Sequence, residues 1–353
     1  MTDRLAVLLR DEAGAVDVPP VPAREILADG KRHRRTTRAT AALVGAAAVV
    51  LLGATVVVAL DRGSGHAVDP AKVADFEQWG AVAVGRDVYV GDAHVVAPGD
   101  ISAMYYTSQG VVIRSDGDYE LVRADGDVST VDVHIPDRIP GFEPDSTRFA
   151  YAEPAGSGWE VVVHDAATDE ELARVTVDGS FTWGGWEAPP VAIDGDHVWT
   201  HFDGHWTDVN WRTGAARDVP ATDRTYELAN GSYAVQRNTV WEVRSWSDQS
   251  LVGSAALPRG WYAFFSPDGR YLRAFPNESA PAQWQPRVYD VATGAERTVA
   301  DPGEDFGWTP SGDLLVVDGG ELRVCPSMGG ECSTRSFDRG SGDLRIGGNP
   351  YES

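Results

Sequence analysis

Three histidines at intervals of four, His197, His201 and His205, stand among Asp194, Asp196 and Asp203. Imidazole and carboxylate together are the donor set of a first-row metal site. A spacing of four would gather these side chains on one face of a helix, but Asp203-Gly204 breaks a helix and reads as the two-residue turn of a hairpin. If His197–Phe202 and His205–Asn210 pair across that turn, Phe202 faces His205 and His201 faces Trp206. His201 and His205 then point to opposite faces, and no metal centre is expected.

Asp116-Gly117-Asp118, Asp125-Gly126-Asp127 and Asp194-Gly195-Asp196 invite a calcium reading. An EF-hand loop needs a glycine at its sixth position and a glutamate at its twelfth; counted from Asp116 these places hold Leu121 and Asp127. Turn chemistry explains the pattern better. No Gly-x-Ser-x-Gly elbow, His-Glu-x-x-His helix or Gly-Lys-Ser phosphate loop is found, so no catalytic residue, cofactor or metal is assigned. A glycosidase or lyase working through paired carboxylates stays as the enzymatic alternative, its residues hidden among 53 Asp and Glu. Gly179 to Pro190 is a Gly-rich stretch carrying Phe181, Trp183 and Trp186, a candidate binding loop. The competing reading packs these rings between neighbouring structural units.

Charge divides the chain of 353 residues into two parts: residues 1–60 carry a net +2 and residues 61–353 a net −25. The acidic excess repels a nucleic-acid backbone and excludes DNA or RNA as the partner. Residues 39–60 hold no charged side chain, and as a helix rising ~1.5 Å per residue they reach ~33 Å, enough for a bilayer core. Lys31 to Arg38 is basic, so the positive-inside rule places a short tail, 1–38, in the cytoplasm and 61–353 on the far side of the membrane. A cleaved export signal is the competing reading. Cys325 and Cys332 are the only cysteines. In an oxidising compartment they are placed to pair across a tight turn, closing a loop worth ~2.5 kcal/mol on the chain-entropy view.

Beyond a linker at 61–74, short β-rich runs alternate with Gly, Asp and Pro turns. The clearest unit is Phe264-Phe265-Ser266-Pro267-Asp268-Gly269-Arg270-Tyr271-Leu272, followed by Arg287-Val288-Tyr289-Asp290-Val291-Ala292-Thr293-Gly294. Weaker copies of the first turn end at residues 110, 146, 195, 231 and 312, giving a mean interval of about 40 residues. A four-stranded unit at that interval predicts an all-β propeller over 75–347 with a tail at 348–353. Six copies are visible. Residues 82–96 with 343–346 would make a shared seventh blade that closes the ring; six blades plus an N-terminal hairpin is the alternative.

The Ser-Pro-Asp-Gly and Asp-x-x-Thr-Gly turns at 266–269 and 290–294 resemble those of bacterial TolB-like and WD-repeat-like β-propellers. That resemblance implies a binding or sensing module for an extracytoplasmic protein or a small ligand, held to membrane lipid by 39–60. Leu5, Leu8 and Leu9 at helical spacing would let the tail dock a cytoplasmic partner, an anti-sigma-like transmitter being the second alternative.

Overall fold

The computed structural model describes residues 68–133, 135, 140–182, 187–219, 228–237, 239–257, 261–276 and 285–348. Over these residues the chain folds as one short helix and seven four-stranded antiparallel sheets, the blades of a β-propeller. Blades 2 to 7 are continuous in sequence and begin with Ile101–Thr107, Gly141–Phe142, Val191–Asp194, Leu228–Ala229, Trp261–Phe265 and Asp305–Trp308. Blade 1 is built from both ends: Leu344–Ile346 lies beside Ala81–Val84, followed by Asp87–Val90 and Ala93–Val96. Val82 stands opposite Ile346, Ala83 opposite Arg345 and Val84 opposite Leu344. Seven blades, closed by the C-terminal strand, are therefore present.

The reason the blades stack is visible in the core. Seven apolar clusters occur, each joining residues of two neighbouring blades. Between blades 3 and 4, for example, Val161 and Val163 meet Val191, Ile193 and Val198, and between blades 4 and 5 Trp199 meets Tyr233. Alternate residues of a strand face opposite sides of its sheet. Each central strand thus supplies both flanking interfaces: in Gly158–Asp165, Val161 and Val163 belong to one cluster and Val162 to the other. Burying a side chain such as valine contributes ~1.5–3 kcal/mol, a gain no blade obtains alone. The first strands stand nearest the axis, with Leu344–Ile346 taking that place in blade 1, while outermost strands such as Ala215–Val219 are largely exposed.

The turn register between His197–Phe202 and His205–Asn210 is the one the two-residue Asp203-Gly204 turn requires, with His201 opposite Trp206 and Phe202 opposite His205. Cys325 and Cys332 are bridged, S–S 2.08 Å, just before the outermost strand of blade 7.

One element departs from the sequence reading. Pro70–Trp79 is a helix, where a linker over 61–74 and then the start of an all-β propeller at 75 were expected. Its signals are local: Asp69 caps it by accepting the Ala71 N–H at 2.9 Å, Pro70 opens its first turn, and Gly80, at φ 66°, ends it. Ten residues are too few for a stable isolated helix, so packing must hold it. Phe76 and Trp79 are buried. Arg335 of blade 7 donates from both terminal nitrogens to Asp75, at 2.7 and 2.9 Å, and lies 4.3 Å from the Trp79 ring centre. The expected membrane helix at 39–60 and the tail at 1–38 lie outside the described residues. Among the described residues no helix is long and apolar enough to cross a membrane.

Candidate functional site: an axial cavity ringed by turns

The turns recognised by their spacing project on one side of the ring, because all first strands run the same way. Together they enclose a cavity of about 510 Å3. Blade 2 contributes Thr107 and Ser108, blade 3 Glu143, Pro144 and Asp145, and blade 4 Ile193 and Asp194. Leu228, Ala229 and Asn230 come from blade 5, Pro267 and Asp268 from blade 6, and Pro310 and Ser311 from blade 7. Blade 1 has no such turn, since its first strand is the last of the chain. Phe76 and Glu77 of the helix line that sector instead.

Each sector also touches the next. Ser108 N–H donates to the Ser146 carbonyl at 2.9 Å, Gly195 N–H to Glu143 Oε1 at 2.7 Å, and Gly231 N–H to Asp194 Oδ2. Gly269 lies so close to the Ala229 carbonyl that a Cβ there would stand 2.8 Å from its oxygen; its φ of 68° likewise favours glycine. Ser311 N–H reaches the Glu77 carbonyl at 3.4 Å, and Ala81 N–H reaches the Tyr106 hydroxyl at 3.3 Å. The turn residues therefore have a structural duty beside any binding role.

That duty separates the carboxylates. Glu143 is buried and committed: besides Gly195 it accepts from Ser146 Oγ at 2.5 Å and from Arg148 Nε at 2.7 Å. Asp268 accepts from Ser266 Oγ and from Arg270 N–H within its own turn. Asp145 also lines the cavity, and its carboxyl is raised above the ordinary range, first by desolvation and then by the charges of Glu143 and Asp194. Asp194 is raised by desolvation, an effect opposed by the Gly231 N–H and reinforced by Glu143. Across the ring, Asp313 is raised by desolvation and by Asp268. Among the described residues that line the cavity there is no Lys, Arg or His. With Glu143 already paired, Glu77, Asp145, Asp194 and Asp268 remain beside Phe76, Ile193, Leu228 and three prolines, a lining that suits a cation with an apolar body.

The residues marked by sequence go elsewhere. His197 Nδ1 is 2.7 Å from Asp208 Oδ1, and that buried carboxylate also accepts from Arg217. His201 packs on Trp206, and His205 approaches Asp218 at 3.8 Å. Asp196 pairs with Arg212, and Asp203 accepts from Thr182. Among the described residues, no three His, Cys, Asp or Glu side chains are grouped to hold a metal ion. Asp116-Gly117 is a tight turn with φ of 53° and 92° in succession, and Asp125 accepts the Asp127 N–H. Phe181 of the candidate loop packs edge-on to Trp159, 6.3 Å between ring centres, on the core between blades 3 and 4. Trp183 and Trp186 lie outside the described residues.

Phe76, Glu77 and Glu143 went unrecognised in the sequence. The helix cap at Asp69-Pro70 would have signalled the first two, and Glu143 directly precedes a recognised turn.

No family model matches the chain, and no curated protein matches it. Among solved structures it is similar to apo AztD from Citrobacter koseri, at 13% identity over 75% of this chain and 96% of that one, TM-score 0.47. It is similar also to TolB from Acinetobacter baumannii, at 12% identity over 69% of this chain and 65% of that one, TM-score 0.43. For Hsv2p of Kluyveromyces lactis the identity is 12%, the coverage 64% and 74%, and the TM-score 0.44.

Proposed function

We propose that this protein is a binding or sensing module tethered to the outer face of a bacterial cytoplasmic membrane, and that the axial cavity takes a cationic ligand. The observation that carries the reading is the cavity lining itself: Glu77, Asp145, Asp194 and Asp268, with no basic side chain among the described residues that line it. Asp145 and Asp194 repel one another, so a bound cation relieves a cost that the folded ring already bears. The tether rests on the uncharged run 39–60 and the basic run before it.

The test is crosslinking and affinity capture in the native membrane, with residues 1–38 and 61–353 as separate baits. Capture of a basic partner by 61–353, reduced by Asp145→Asn with Asp268→Asn, supports the module. Capture of a transcription factor by 1–38 alone supports the anti-sigma-like transmitter instead. Protease added to spheroplasts must reach 61–353; digestion only after lysis rejects the topology.

A second reading is favoured by one observation. Two carboxylates with raised pKa, Asp145 and Asp194, share an axial cavity, the arrangement from which a glycosidase or lyase draws its acid and base. Glycan turnover by the protein, lost in Asp145→Asn, would establish that reading over simple binding.

A further inference from the structure

Six sectors of the cavity wall are turns tied at both ends into continuous blades, whereas the seventh is the helix Pro70–Trp79. That helix differs in how it is held. Its N-terminal end is complemented by the capping carboxylate of Asp69, but no basic residue stands in its last turn to complement the other end. Its attachments are few and lie on both sides of the ring closure. Phe76 meets Tyr106 of blade 2 edge-on, at 5.7 Å between ring centres. Asp75 and Trp79 are engaged by Arg335 of blade 7, and Lys72 pairs with Asp92 of blade 1 at 2.7 Å on the exposed side. Blade strands are secured by ladders along their length, while this helix is held by Phe76 and Trp79 with Val73 beside them, by the Arg335–Asp75 and Lys72–Asp92 pairs, and by one backbone bond from Ser311 N–H to the Glu77 carbonyl. It is also the element through which the segment before residue 70 joins the ring.

We infer that the helix is a strap: it undocks from the seam independently of the blades, and a cation in the cavity, held in part by Glu77, keeps it docked, so that occupancy is relayed to the chain that precedes it. The relay rests on the cation reading of the cavity; the separate undocking does not.

Amide hydrogen exchange on the full-length protein tests both parts, with spermidine as the probe cation and calorimetry as the independent check that it binds. In Arg335→Ala, exchange at 73–79 should rise roughly tenfold, the factor expected on losing a charge-assisted pair worth ~1.4 kcal/mol, with Gly158–Asp165 of blade 3 unchanged. Saturating spermidine should slow exchange at 73–79 by at least about threefold in the wild type. In Glu77→Gln, spermidine should still bind through the other carboxylates, but that protection should be lost. If Arg335→Ala accelerates exchange throughout blades 1, 2 and 7, the helix is a fixed part of the ring and the strap is overturned. If spermidine binds and exchange at 73–79 does not change, the relay is overturned while the binding reading survives. If spermidine does not bind, the binding reading and the relay fail together, and the Arg335→Ala result decides the undocking.

Discussion

Blade 3 and blade 1 occupy equivalent places in the ring and are held together differently. In blade 3 the three outer strands are each eight residues long, and its central pair, Arg148–Ala155 with Gly158–Asp165, runs without a break from Gly158↔Ala155 to Asp165↔Arg148. Its hairpins close over a few residues, so each ordered residue is repaid locally. Blade 1 has four-residue strands and takes its first strand from the other end of the chain, through three opposed pairs. Its closure is repaid only when the whole ring has formed. The difference teaches where the fold stores its cooperativity: in the seam, where the strand Leu344–Ile346 joins the two ends of the chain.

Cutting the seam should therefore have the largest effect. Ile346 is 2% exposed and packs with Val82 and Leu315 between blades 7 and 1. Ile346→Ala should cost ~2–5 kcal/mol and lower Tm by roughly 5–10 °C. Val161→Ala, equally buried in blade 3, should cost less, ~1–3 kcal/mol. Equal losses by calorimetry would break the comparison.

Reducing Cys325–Cys332 in blade 7, next to the seam, should cost ~2.5 kcal/mol, read as a shift in the denaturant midpoint at unchanged slope. A smaller effect separates two arginines. Arg335→Ala removes the bidentate pair with Asp75 and the Trp79 contact, for ~1–3 kcal/mol. Arg174 in blade 3 touches Glu153, Glu160 and Glu171 but is solvated, and Arg174→Ala should cost under ~1 kcal/mol.

The smallest effect is a pH dependence at the cavity. Because the Asp145 carboxyl is raised in the folded protein, its ionised form costs stability above that raised pKa, and the cost fades as pH falls through it. Asp145→Asn should raise stability slightly at pH 7, by less than ~1 kcal/mol, and match the wild type near pH 3.8, the ordinary value of this carboxyl. A variant less stable than the wild type at pH 7 would show that this carboxylate is structural.

Much of this was legible because propeller blades repeat their chemistry. In the Asp290 turn, read from sequence, Oδ1 accepts both the Thr293 N–H and its hydroxyl, and Asn210 does the same for Thr213 in blade 4. Asp203-Gly204 fixed the register of His201 and Trp206 because a two-residue turn leaves no slack. The convergence of Asp145, Asp194 and Asp268 on one cavity was not read, although it follows once every blade places its first turn on the same side. The spacing of residues within one blade carries no information about which carboxylates meet across the axis. The helix was missed because Lys72, Ala74, Glu77 and Gln78 leave its apolar face too narrow to register as a period, and only its two caps announced it.

The central claim, an axial cavity that takes a cation, is tested most directly by calorimetric titration of the full-length protein with spermidine at low and high salt. The account predicts saturable binding with one site per chain, weakened by salt and reduced by roughly tenfold or more in Asp145→Asn with Asp268→Asn. Absence of binding at low salt, or binding that the double substitution leaves unchanged, would contradict it.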